Sequence, residues 1–414
     1  MRSRSRPSTV MSGLPKRRIP AVVAVLLALM VAVAACATPA ATPTTATTAA
    51  KPTSATAASP TTAAKPTTVA GTPAAATTPG STASMQACPP AGAATTLTGA
   101  GATFPAPLYT RWFDEYKKLC NVSVNYQPIG SGGGIRQHTE KTVDFGASDG
   151  IMTASQKEAT PDTLMIPMTA GAVAVVVNLE GVENGKLRLT PDILAGIYLG
   201  EIARWDDAKI KAENADLALP SSAITVVRRS DGSGTTNIFT SYLAAISTDW
   251  KSKVGSGNSV QWPTGLGGEG NSGVAGVVKQ RAGSIGYVEQ AYAAQNKLTW
   301  VALKNQAGSY VEPTLEATTA ALEGVTIPDN TEVMVVNSAN AQAYPIAGLT
   351  WLLVYRNQPD AAKAQTLASV IWWAIHDGQK LATEMGYAGL SPAAIAKAEV
   401  QVKQIAVNGQ AVIK

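Results

Sequence analysis

One local pattern constrains this chain more than any other: an apolar strand, a glycine turn, then a helix start. Its fullest copy is Val226-Val227-Arg228-Arg229-Ser230-Asp231-Gly232-Ser233-Gly234-Thr235-Thr236-Asn237. Ile224, Val226 and Val227 supply the strand. Gly232 and Gly234 turn the backbone where a Cβ would clash. Ser233 or Thr235 can cap the helix that runs on through Phe239, Tyr242 and Leu243. A helix start presents unpaired N–H groups and the positive end of the helix dipole, so it seats an anion. Arg229 stands just ahead of that turn and adds a fork of donors suited to phosphate or carboxylate. The stretch therefore points to oxyanion binding.

The same pattern appears twice more. Leu97 to Phe104 leads through Pro105 and Pro107 into a helix with Leu108, Trp112, Tyr116 and Leu119 at helical spacing, placing Thr103 and Phe104 as donors at its start. Val122, Val124 and Tyr126 alternate as a strand, Gly130 to Gly134 turn, and a helix is expected from Ile135, with Ser131 offering its hydroxyl. A further short strand from Val143 ends on the carboxylate of Asp149. Met165 to Val177 reads as two apolar runs around Pro167, Thr169 and Gly171. Thr190-Pro191-Asp192 starts a helix by cap, proline and acidic first turn, and Gly200 ends it. Strands are expected around Ile285 to Val288 and Leu349 to Tyr355, with two closing helices, about Asp360 to His376 and from Ser391 onward. Strands alternating with helices give an α/β class in which the loops after strands carry function.

The first ninety residues lie apart from this pattern. Arg2, Arg4, Arg6, Lys16, Arg17 and Arg18 precede an apolar run from Ile19 to Ala35, as in a secretory signal peptide. Val33-Ala34-Ala35-Cys36 resembles the lipobox of bacterial lipoproteins, which implies cleavage before Cys36 and a lipid on its sulfur. A plain membrane anchor is the alternative, but the run is short and interrupted by Pro20. Residues 36–90 are nearly all Ala, Thr and Pro, with Lys51 and Lys65 as the only charges, and are expected to form a disordered tether. The bulk of the chain is therefore expected outside the cytoplasmic membrane. The net charge of +5 is misleading, because six positive and no negative side chains fall within residues 1–35. Without them the chain is near −1, and no basic patch argues for nucleic acid. Cys88 and Cys120 remain, and in an oxidising compartment two leftover cysteines usually pair, although two free buried thiols are the alternative. By loop entropy such a bridge would add roughly 3–4 kcal/mol. His138 and His376 are the only histidines and neither is near a cysteine, so no metal site is expected.

Two motif matches compete with anion binding. Gly265 to Gly270 fits G-x-G-x-x-G, with Glu289 about twenty residues on, as in a dinucleotide site. The segment before it, Ser259 to Trp262, is broken by Pro263, so a polar loop leading to a helix at Val274 is the better reading. Gly146 to Gly150 fits G-x-S-x-G around Ser148, with His376 later in the chain, as in a serine hydrolase. The strand before it is short and no oxyanion loop accompanies it. What remains is three helix starts, one arginine and one aspartate. A fully ionised anion would be repelled by a buried carboxylate. A partly protonated one can donate its O–H to that carboxylate while its other oxygens accept from N–H, hydroxyl and guanidinium groups. Such a site selects hydrogen phosphate over sulfate, which has no proton to offer.

The stretches LTGAGATFPAP, VDFGASD, IYLGEIARWDD, VVRRSDGSGTT and GYVEQAYA resemble the substrate-binding lipoproteins of high-affinity bacterial phosphate ABC importers. They span most of residues 95–300, and the last hundred residues match more loosely. The resemblance implies an α/β fold of two hinged lobes, as in periplasmic binding proteins, closing on one phosphate. Lobe I would be 95–168 with 345–414, and lobe II 169–344. By the same resemblance the ligands are Thr103, Phe104, Ser131, Asp149 as acceptor of the phosphate proton, Arg229 held by Asp231, and Ser233, Gly234 and Thr235. It implies a monomeric binding protein without catalysis or cofactor, anchored through Cys36. Its partners would be permease subunits driven by a cytoplasmic ATPase. Gly132 stands where members often carry a second serine, which points to a looser loop there, and Cys88 and Cys120 are not general to the family. Another tetrahedral oxyanion (molybdate, sulfate or arsenate) and a secreted phosphatase or serine hydrolase are the alternatives.

Overall fold

The computed structural model describes residues 88–413. Of the two units into which contacts divide the chain, Met1–Thr78 and Pro79–Lys414, these belong to the second. The leader, Cys36 and the tether up to residue 87 lie outside the described residues. The strands, in chain order, begin with β1 (Thr96–Gly101), β2 (Ser123–Gln127), β3 (Phe145–Ser148), β4 (Thr163–Asn178) and β5 (Arg188–Leu189). Next come β6 (Thr225–Arg229), β7 (Leu266–Gly268), β8 (Ser284–Glu289), β9 (Thr299–Trp300), β10 (Ala302–Lys304) and β11 (Tyr310–Val311). The last are β12 (Ala347–Tyr355), β13 (Ala406–Val407) and β14 (Gln410–Ala411).

Strand β4 holds the architecture together. It runs for 16 residues and is buried from Leu164 to Val177, because Met, Ile, Ala and Val fill both of its faces. Its first part pairs antiparallel with β12 and its second part, from Val173, with β8. Beyond β12 lie β3, β1 and β2, and beyond β8 lie β6 and β7. The chain therefore makes two α/β halves hung on one continuous strand. Within each half the outer strands are parallel: β1 with β2 and β3, and β6 with β7 and β8. Parallel strands send their carboxyl ends one way, and ligands bind in the crevice beyond those ends. Gly101, Ser148 and Arg229 end β1, β3 and β6, and each is followed within two residues by a candidate site residue.

Several elements differ from the sequence expectations. The helix expected from Ile135 begins at Ser131 and runs to Thr139, so the glycines form its first turn instead of a loop. Packing explains this. A Cβ on Gly134 would sit 2.5 Å from Gly101 Cα, and one on Gly133 would sit 2.8 Å from Ile129 Cδ1. Only bare backbone lets the helix approach β1 so closely, and that contact offsets the roughly 1 kcal/mol per residue that glycine costs a helix. The two apolar runs around Pro167 are one strand. The register shifts beside Thr350, where Thr350 faces Thr169 and Trp351 faces Pro167. That irregularity accommodates the proline's missing N–H. The loop expected before Val274 contains β7, and its helix starts earlier, at Gly270. The C-terminal region adds a helix, Gly378–Glu384, and the β13–β14 pair to the two helices expected.

Cys88 and Cys120 form a disulfide, with their Cα atoms 5.3 Å apart. It fastens the start of the described chain to the end of the helix Ala106–Cys120. Among the described residues no helix is long and apolar enough to cross a membrane.

Candidate functional site

The site gathers where the two halves face each other. From the β4–β12 half come Thr103, Phe104, Ser131 and Asp149; from the β8–β6 half come Arg229, Asp231, Ser233, Gly234 and Thr235. All of these but Asp231 are buried. Asp231 is half-buried.

The helix Gly234–Ile246 carries the second set. Ser233 caps it, accepting from Thr236 N–H at 3.0 Å, while its own N–H donates to Asn258 O at 2.8 Å. Gly234 N–H donates to Ser131 Oγ at 3.0 Å, and Asp149 N–H donates to the same oxygen at 3.2 Å. One serine thus accepts from both halves. A side chain at Gly234 could not fit, because its Cβ would lie 2.6 Å from Asp149 N, Asp149 Cβ and Ser131 Oγ. Gly132 is tied, not loose: its N–H donates to Gly232 O across the halves at 2.9 Å. A Cβ there would be 3.1 Å from Gly232 Cα.

Asp149 Oδ1 accepts from the Thr350 hydroxyl at 2.9 Å. Burial pushes the Asp149 carboxyl up to about 7. Hydrogen bonds from Thr350 and Ser131, the Arg229 charge and the Thr235 N–H hold it from going further. It therefore titrates near neutrality and can hold or take a proton. Arg229 is 2% exposed and forms a two-pronged pair with Asp231, Nε to Oδ1 at 2.7 Å and Nη2 to Oδ2. Burial pushes the Asp231 carboxyl up, but Arg229 and the Gly270 N–H outweigh this and leave it below its usual range. The remaining guanidinium nitrogen, Nη1, makes only a long 3.5 Å contact with Thr235 Oγ1. The Arg229 N–H donates to Tyr287 OH at 3.2 Å, and Tyr287 stacks on Phe239 at 4.3 Å, so the strand end is fixed from behind.

Two residues in the site escaped the sequence reading as site residues. Asn271, in the first turn of the helix Gly270–Gln280, bonds Thr103 and Thr235. Glu289 is fully buried at the end of β8, where Tyr387 OH lies 2.9 Å from Phe104 O and 3.0 Å from Glu289 Oε2. Burial pushes the Glu289 carboxyl up to about 8, with the Ala291 N–H and Tyr387 holding it down and the Asp149 charge pushing it up. The only local signal beside Asn271 is the glycine motif of Gly265–Gly270, whose pattern points to a dinucleotide. Instead β7 occupies Leu266–Gly268, and Gly268 packs against Val274 N, where a Cβ would be 2.6 Å away.

The hydrolase constellation is not brought together. Ser148 Oγ donates to Gly150 O at 2.6 Å. His376 bonds Trp372 O at 2.7 Å and Glu399 at 3.0 Å. Among the described residues no cluster of His, Cys, Asp and Glu could hold a metal ion. A cleft of about 320 Å³ opens beside the site, lined by Thr103, Ile129, Asp231, Glu269, Gly270 and Tyr292. Chemically the arrangement offers hydroxyl, guanidinium and helix-start N–H donors converging near one carboxyl that titrates close to neutrality.

Residues 50–375 match the PBP superfamily domain. The chain is 44% identical over 299 residues to the phosphate-binding protein PstS of Xylella fastidiosa, covering 72% of this chain and 82% of that one. It is 44% identical over 300 residues to the phosphate-binding protein PstS of Haemophilus influenzae, covering 72% and 90%. Among solved structures it is similar in fold to the phosphate binding protein of Stenotrophomonas maltophilia, with a TM-score of 0.59 and 20% identity over 74% of this chain and 94% of that one.

Proposed function

The chain belongs to the PBP superfamily and to its PstS phosphate-binding proteins, and from that premise we propose that it binds inorganic phosphate outside the cytoplasmic membrane and delivers it to an ABC importer. The observation that carries this reading is the pairing of opposites in one buried site. A guanidinium and three helix starts favour an anion, while the buried Asp149 side chain, as the carboxylate, favours a guest that carries a proton. Hydrogen phosphate meets both demands. Sulfate meets only the first, because it has no proton to donate to the carboxylate.

The ligands we assign are Thr103, Phe104, Ser131, Asp149, Arg229, Ser233, Gly234 and Thr235, with Asp231 holding Arg229. We read residues 95–168 with 345–414 as one lobe and 169–344 as the other, with β4 as the strand between them. Closure of two such lobes hides the anion from water and presents a shape the permease can recognise. The protein would be a monomer held to the membrane through Cys36, with residues 36–90 as the tether. We assign it no turnover: the Ser148 hydroxyl is engaged by Gly150 and His376 by Trp372 and Glu399.

Calorimetric titration of the purified protein with phosphate and with sulfate at neutral pH tests the reading. Phosphate heat with no sulfate heat is expected, and Asp149→Asn should narrow that gap. Equal binding of both anions by the wild-type protein, or unchanged selectivity in Asp149→Asn, overturns the role of the carboxyl.

A further inference from the structure

Building on the phosphate reading, we infer that Asn271 is a positioning residue that forces the Thr103 and Thr235 hydroxyls to act as donors toward the bound anion. The argument is one of hydrogen-bond polarity. Asn271 is fully buried, and its amide can face only one way, because Oδ1 accepts the Glu289 backbone N–H at 2.9 Å. Its Nδ2 group therefore faces the hydroxyls. It donates to Thr103 Oγ1 at 2.8 Å and to Thr235 Oγ1 at 3.1 Å. The Asn271 backbone N–H gives a second bond to Thr103 Oγ1, at 3.3 Å. Arg229 Nη1 gives a second, longer one to Thr235 Oγ1, at 3.5 Å.

A threonine hydroxyl has one proton and two acceptor positions. With both acceptor positions filled on each oxygen, each hydroxyl can only donate, and its proton turns away from Asn271 and Arg229 into the site. An unconstrained hydroxyl could present a lone pair to the anion instead and would lose orientational freedom on binding. Asn271 settles that choice beforehand, which is the preorganisation that tight anion binding requires. It also spans the halves, since Thr103 follows β1 and Thr235 follows β6. The one side chain therefore couples donor direction to the closed arrangement.

Phosphate titration of wild type, Asn271→Ala, Asn271→Asp and Thr103→Val, with thermal melting as the folding control, tests this. Removing the amide in N271A should weaken phosphate by about tenfold, the scale of one lost hydrogen bond. The nearly isosteric N271D should be worse, by about a hundredfold, because a carboxylate accepts from both hydroxyls and reverses them. The N271D carboxylate also repels the anion, so the double variant N271A/T103V isolates the part that runs through the hydroxyls. It should bind less than about tenfold more weakly than T103V alone, because without the Thr103 hydroxyl Asn271 has only that of Thr235 left to orient. Wild-type affinity in N271A, an alanine loss larger than the aspartate loss, or fully multiplied losses in the double variant each overturn the inference while leaving the phosphate reading intact. No phosphate heat in the wild-type protein overturns that reading first, and the inference with it.

Discussion

Replacing Asp149 by asparagine should remove a pH dependence from the stability of the phosphate-free protein. The Asp149 carboxyl is fully buried and raised from 3.8 to about 7. A raised carboxyl means that the folded state binds a proton the unfolded chain has already released. Stability from this group is fully present below about pH 4 and is lost as pH rises toward 7. A shift of about three units at 1.36 kcal/mol each gives a loss of about 4 kcal/mol across that window. Asparagine has the same shape and no proton to lose, so Asp149→Asn should gain on wild type by up to that amount between pH 4 and pH 8. Urea unfolding of both proteins, stripped of phosphate, at one-unit pH intervals measures the difference. Glu289, raised to about 8, adds a slope of the same sign to both proteins and cancels to first order in the comparison. A wild-type-to-variant gap that stays flat from pH 4 to pH 8 refutes the reasoning, because it would mean that Asp149 is charged and satisfied in the empty site.

Two further outcomes follow from the geometry. Gly234→Ala should cost phosphate binding at least tenfold and lower the melting temperature, since the new Cβ meets Asp149 N and Ser131 Oγ at 2.6 Å and must push the helix start off the site; titration and a thermal melt check both. Replacing Cys88 and Cys120 together by serine should destabilise the protein by about 3–4 kcal/mol through a loop closed over a sequence separation of 32; phosphate affinity should not change, and denaturant unfolding with titration reads the two effects separately.

Much of this protein is written locally in its sequence. The strand, turn and helix of Val226–Asn237 needed only apolar residues, two glycines and a capping serine, all adjacent, and they form β6 and the helix Gly234–Ile246 capped by Ser233. The Cys88–Cys120 bridge followed from cysteine count and compartment, and it is present. Other features depended on partners far away in the chain. The glycines after Gly130 look like a loop in isolation, yet close packing on Gly101 makes them a helix. Pro167 looks like a strand breaker, yet β4 continues through it because the register shift beside Thr350 leaves room. Asn271 follows a glycine motif that matches a different kind of site, and its own role is not legible locally, because its contacts with Thr103 cross 168 residues of sequence. The bond from Thr350 to Asp149 crosses 201. A residue's type fixes what it can donate or accept. Which group it meets, and how much water is kept from it, is decided only when β4 joins the two halves, so the near-neutral titration of Asp149 belongs to the tertiary structure.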